Sequence, residues 1–150
     1  MKVKAYVGSS LTFSSYQEFP RPVFTDTLHF PDDITTLTGG NVSELLGKYT
    51  KLFVFANAEL CKWSVRLLRA QTAESLRRAA LLRQDPSLNV QERWRRDAVL
   101  DCDAEIVRLT LRQAHCRAER DIAQTARDNF EKYIAALSRE LSRKGYEHKN

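Results

Sequence analysis

The chain has 150 residues, 43% of them hydrophobic and 29% charged, so it fits one domain able to bury roughly two thirds of its unfolded surface. Its formal charge is +5, and arginine supplies sixteen of the twenty-four basic residues, which points toward a polyanion or an acidic partner surface. No run of about eighteen apolar residues occurs and the opening MKVKAYVGSS is too short and too polar for the apolar core of a signal peptide, so a soluble cytoplasmic protein is expected, in the host cytoplasm if viral, with no membrane partner.

Residues 1 to 38 form the first expected element. KVKAYV alternates polar with apolar residues, VFTDTLHF is rich in β-branched and aromatic ones, and Pro20, Pro22 and Pro31 punctuate the stretch. Such a pattern predicts short strands or an extended arm, which could add a strand to a neighbouring subunit, with disorder of part of the segment as the alternative. The charge here is slightly negative, with three basic and four acidic groups in residues 1 to 40, against eighteen basic and twelve acidic groups in residues 62 to 144. An electrostatic partner is therefore expected at the second part of the chain.

Between Lys48 and Lys144 there is no glycine and a single proline, Pro86. Glycine and proline are the residues a helix interior tolerates least, so their absence predicts two long helices broken near Pro86. The fold class expected is mainly α, a long antiparallel, coiled-coil-like helical hairpin over residues 39 to 150 behind a short N-terminal arm. The first helix is expected to start at GGNVSELLGKY, with Asn41 as the cap and Glu44 reaching back to it. Its apolar seam, Val42, Leu46, Tyr49, Phe53, Ala56, Leu60, Trp63, Leu67 and Ala70, alternates steps of four and three and forms a heptad repeat that fades at Glu74 and Arg77. It should end at Arg83 or Gln84, because the residue before a proline is pushed out of α geometry.

The second helix is expected from Asn89, with a seam through Leu100, Ala104, Val107, Leu111, Ala114 and Ala118 that shifts by Ile122 and Ala126 to Phe130, Tyr133, Leu137 and Leu141. That shift reads as a four-residue stutter. Folding about Pro86 brings Trp63 level with Arg112, and Cys61 level with Ala114 to Cys116. The cysteines are expected to be free, buried thiols rather than a redox switch, since their odd number and wide spacing argue against disulfide or zinc frameworks.

In KLFVFANAEL, residues Leu52, Phe53, Val54 and Phe55 make the first helix apolar almost all round, and such a helix is covered on several sides. Leu52, Phe53, Val54, Phe55, Leu60 and Trp63 are therefore the candidate interface of a homo-oligomer, with Leu45, Val65 and Leu68 extending it, although the N-terminal segment could cover part of the stripe instead.

Catalytic patterns are absent. There is no glycine-rich phosphate loop, nucleophile elbow or HExxH, and His115 lacks the glutamate three residues earlier of di-iron bundles, Arg112 standing there. Asp97, Asp101 and Glu105 form an acidic row read as a salt-bridge face. No enzyme, metal or cofactor is expected. The candidate binding site is the bend SLRRAALLRQDPSLNVQERWRR, where Arg77, Arg78, Arg83, Arg93, Arg95 and Arg96 face only Asp85 and Glu92 in the local sequence. Guanidinium groups suit phosphates and the Trp94 indole suits an unpaired base. The competing reading packs Trp94 on Leu81 or Leu82.

The long basic hairpin and its closing ARDNFEKYIAALSRELSRKGYEHK, in which Ala136 and Leu137 precede Ser138 and Arg139, resemble the UvsY-like phage recombination-mediator proteins over about residues 41 to 145. Residues 1 to 38 have no counterpart there. The resemblance implies a non-enzymatic homo-oligomer that binds single-stranded DNA and helps load a recombinase by remodelling single-strand binding protein. The alternative is a coiled-coil adaptor or inhibitor of viral origin that binds a host protein.

Overall fold

The computed structural model describes residues 20–24 and 28–147. They form three α-helices, α1 (Gly39–Gln84), α2 (Arg93–Asp101) and α3 (Ala104–Glu147), with a 3-10 segment, Pro86–Val90, between the first two. The architecture is mainly α: α1 and α3 pack along one another, antiparallel, as a helical hairpin. At 46 and 44 residues the long helices each span about 65 to 70 Å. No described residue is in a strand. The expected strand KVKAYV lies outside the described residues, and Leu28, His29 and Phe30 of VFTDTLHF are irregular.

Thr38, not Asn41, caps α1. Its Oγ1 accepts from the Asn41 N–H at 3.3 Å and its carbonyl from the Val42 N–H at 3.0 Å, while Glu44 turns to Lys48 at 2.6 Å. The helix ends at Gln84, as Pro86 requires. The predicted seam of α1 is the buried one, with Val42, Tyr49, Ala56, Leu67 and Ala70 all nearly inaccessible. Where that seam fades, it becomes a polar layer. Glu74 accepts from the buried Gln113 of α3 and from Arg78 Nε, and Arg77 reaches Asp103. A buried polar pair adds little net stability but penalises any register that leaves its partners unmatched.

The seam of α3 differs from the sequence expectation. Buried are Ile106, Leu109, Gln113, Cys116, Ala123 and Leu137, an unbroken heptad with no stutter, whereas Val107, Leu111 and Ile122 are 44%, 67% and 64% exposed. Ala104, Ala114 and Ala118 are exposed as well. The true stripe passes through polar residues at Gln113, Arg120 and Arg127, so a reading by apolar periodicity slid onto its neighbour. The register shifts too. Trp63 meets His115 edge to face at 5.4 Å rather than Arg112, because the turn occupies everything from Asp85 to Asp103 and its centre lies beyond Pro86.

Two small cores close the hairpin. At the tip, Leu88 of the 3-10 segment, Leu100 of α2 and Ile106 of α3 pack with Leu81 and Leu82. Asp85 starts this turn by accepting from the Ser87 N–H at 3.0 Å, and Asn89 Nδ2 donates to the Leu82 carbonyl at 3.3 Å, satisfying the end of α1. At the open end, Val42, Tyr49 and Leu137 pack with Leu28, Phe30, Ile34 and Leu37 of the N-terminal segment. Phe30 stacks on Tyr133 at 4.3 Å and meets Tyr49 edge to face at 5.8 Å. Burial raises the Tyr49 phenol above its ordinary value, with the neighbouring Tyr133 adding to the shift.

The N-terminal segment thus covers part of the all-round apolar stretch of α1. Leu52 belongs to that end core, and Pro20 and Pro22 share with Val54 and Phe55 the walls of a cleft of about 370 Å³. Phe53, Leu60 and Trp63 are half-buried in the hairpin, and of the six candidate interface residues Val54 alone is exposed, at 47%. Of the cysteines, all free, Cys116 is buried while Cys61 and Cys102 are exposed.

Candidate nucleic-acid interface

The second helix expected from Asn89 is two helices. α2 begins at Arg93, stops at Asp101, and the chain restarts as α3 at Ala104. The break is made by Asp103, whose Oδ1 accepts from the Glu105 and Ile106 N–H groups at 3.1 Å each and so caps α3. Its carboxylate also holds Arg77 in a two-pronged pair at 3.1 and 2.6 Å. One aspartate therefore caps a helix and ties it to the end of α1. In sequence the signal for it was an acidic residue just before Ala104, Glu105 and Ile106, masked by the acidic row around it. Because α2 ends at Asp101, that row does not share one helix: Asp97 lies beside Arg93 and Arg96 at 3.6 and 3.8 Å, Asp101 takes Arg78 at 2.5 Å, and Glu105 takes Arg108 at 2.6 Å.

These pairings redraw the charge of the tip. Arg77 is held by Asp103, and Arg78 bridges Glu74 at 2.8 Å and Asp101. Both guanidiniums are fastened within the chain, and their partners raise their pKa values further. The local excess of arginine in residues 75 to 96 is thus matched in space by Glu74, Asp97, Asp101 and Asp103, which lie outside that stretch. Arg93 stays 88% exposed. Among the described residues no carboxylate pairs with Arg83, whose Nε donates to the Ala79 carbonyl at 3.3 Å, or with Arg95.

Trp94 is not part of the tip core, in which Leu81 and Leu82 pack on Leu88, Leu100 and Ile106. It is 64% exposed, its Nε1 donates to Glu92 at 2.5 Å, and the Arg95 guanidinium lies over its ring at 5.0 Å. Glu92 is the N-cap of α2 yet makes no side-chain capping bond, and the first turn holds no acidic residue. Arg93, Arg95 and Arg96 occupy that turn instead. The N-terminal end of a helix carries positive partial charge and exposed N–H donors, so this clustering of cations works against helix stability and favours an anion.

Arg77 and its helix-capping contacts hold the Asp103 carboxyl down at about 2, against an ordinary 3.8. At the far end of α3, Arg143 and then Lys144 hold Glu140 at about 2, against 4.5, and Lys144 also donates to the Thr35 carbonyl at 2.9 Å. Carboxylates with lowered values in the folded state stabilise it above their unfolded values, and that contribution disappears as pH falls through the folded ones. The melting temperature is therefore expected to drop as pH falls from about 5 to about 2. In Asp103→Asn combined with Glu140→Gln the drop should be shallower, read by circular dichroism; an identical slope would refute the assignment.

Among the described residues no group of three or more His, Cys, Asp or Glu side chains could hold a metal ion, and no helix is long and apolar enough to cross a membrane. Compared with protein-family models, curated proteins and solved structures, the chain matches none. Fold and site together define an α-helical hairpin whose tip carries an exposed tryptophan among arginines.

Proposed function

We propose that the protein is a non-enzymatic, oligomeric accessory factor that binds single-stranded nucleic acid through the hairpin tip, acting as a phage recombination mediator. The observation that carries this reading is the exposed Trp94, with the Arg95 guanidinium over its ring and Arg93 and Arg96 in the same first turn, at the start of α2, where Glu92 makes no side-chain capping bond. An indole offers a stacking surface that an unpaired base can use and a paired one cannot. Arg83, Arg93, Arg95 and Arg96 supply the phosphate contacts. Arg77 and Arg78 serve the site by locking the tip rather than by touching a ligand. A single such tip is a modest site, and oligomerisation multiplies it along a strand.

Binding of a fluorescent single-stranded oligonucleotide, followed by anisotropy, tests this. Four phosphate contacts per tip give a slope of about −3 in log affinity against log salt, and a duplex of the same sequence should bind more weakly. No binding at about 20 mM salt would remove the proposal, since electrostatic attachment is strongest there. The second reading, a helical adaptor or inhibitor of viral origin that occupies a host protein surface, is favoured by the intramolecular neutralisation of Arg77 and Arg78, and the same assay separates the two.

A further inference from the structure

Glu92 stands apart from the other carboxylates around α2. Asp97, Asp101 and Asp103 all lie beside arginines, whereas Glu92, with Arg93, Arg95 and Arg96 close behind it in the chain, forms no ion pair among the described residues. Nor does its side chain cap α2, although it occupies the N-cap position. Its carboxylate is given to the indole instead: Oε2 accepts from Trp94 Nε1 at 2.5 Å. The Arg95 guanidinium lies over the same ring at 5.0 Å. Trp94 is therefore held at its polar edge by Glu92 and over its ring by Arg95, and much of its remaining surface is open to solvent. An indole held in this way loses less side-chain entropy when a base stacks on it.

We infer that Glu92 is a specificity-determining residue of the tip, selecting an unpaired base that carries an amino group, cytosine over uracil. The inference rests on the single-strand reading given above. A base stacked on the indole lies about 3.5 Å from its plane, so a base edge that projects over Nε1 comes within hydrogen-bond reach of the Glu92 carboxylate. A carboxylate only accepts hydrogen bonds, and Oε1 has no partner among the described residues. Cytosine offers the N–H donors of its 4-amino group, the group to which glutamate pairs when it reads this base. Uracil offers O4 at the same position, an acceptor facing an anion, and its N3–H stands between two carbonyl oxygens. The two rings are alike in size and both carry O2, so stacking and any guanidinium contact at O2 leave them equal. Phosphate contacts carry no sequence information either. The group at position 4 is what Glu92 distinguishes.

Anisotropy of the full chain with oligodeoxycytidine and oligodeoxyuridine of equal length, at one salt concentration and slightly alkaline pH, tests this. Binding to oligodeoxycytidine is expected to be about fivefold tighter, less than a buried hydrogen bond to a charged group gives because the site is exposed. In Glu92→Gln the amide oxygen can keep the indole N–H while the amide NH2 meets the base, so the ratio should fall to one or invert. Glu92→Ala removes the acceptor and should bring the ratio to one. Neither change touches the tip core, which unaltered circular dichroism verifies. Equal affinity of the unaltered chain for the two oligonucleotides overturns the inference and leaves the single-strand reading in place. A preference that persists in both variants does the same, since it then arises away from Glu92. Failure of either oligonucleotide to bind at about 20 mM salt removes the single-strand reading and the inference with it.

Discussion

Replacing Arg93, Arg95 and Arg96 together with alanine is expected to weaken binding to a single-stranded oligonucleotide about a hundredfold at about 0.1 M salt, because each released phosphate contact gives up roughly 0.7 of a log unit per decade of salt. The salt slope should flatten by about 2 at the same time. Trp94→Ala is expected to cost about 1 to 3 kcal/mol, as loss of base stacking does, with the slope unchanged. That difference identifies the roles: guanidiniums on the first turn of α2, of which Arg93 and Arg95 are exposed and Arg96 half-buried, act by charge, and an indole 64% exposed acts by surface. The fold should survive both changes, since the tip core of Leu88, Leu100 and Ile106 does not include these side chains. Equal affinity in the triple variant would show that the strand lies elsewhere.

Tyr49→Ala should be the most damaging single substitution for stability, at about 3 to 5 kcal/mol, the usual loss for a large buried aromatic. Domains of this kind hold only about 5 to 15 kcal/mol in all. Tyr49 is 3% exposed and lies within ring-contact distance of Phe30, Phe130 and Tyr133, so its removal opens a cavity where both long helices and the N-terminal segment meet. Urea denaturation measures the effect as a lower midpoint. A loss below about 1 kcal/mol would mean that the site collapses without harm and that the segment around Phe30 is not part of the core.

The hairpin was legible for a simple reason. A span without glycine and with one proline, carrying apolar residues at steps of four and three, leaves the backbone little choice. The seam of α1 could be read because its apolar residues sit where they are buried. The seam of α3 could not, because Gln113, Arg120 and Arg127 occupy buried or half-buried seam positions while Val107, Leu111 and Ile122 face outward. Periodicity ranks stripes by apolar content, and here the richer stripe is not the one facing α1. The candidate site was visible in part: Trp94 and its arginines stand exposed, but nothing in the order of residues told which arginines would find carboxylates 23 and 26 residues away, as Arg78 and Arg77 do.

Local chemistry alone thus determined two long helices, the end of α1 before Pro86, and the surplus of arginine near the turn, since each depends on neighbours within a few residues. Packing decided the rest. Asp103 divided the second arm into α2 and α3, the register brought Glu74, Asp101 and Asp103 onto Arg77 and Arg78, and Phe30 with its neighbours became part of the core instead of an arm. Those outcomes depend on which surfaces meet when α3 turns back along α1, and contact energies between residues far apart in the chain are summed only in the folded molecule.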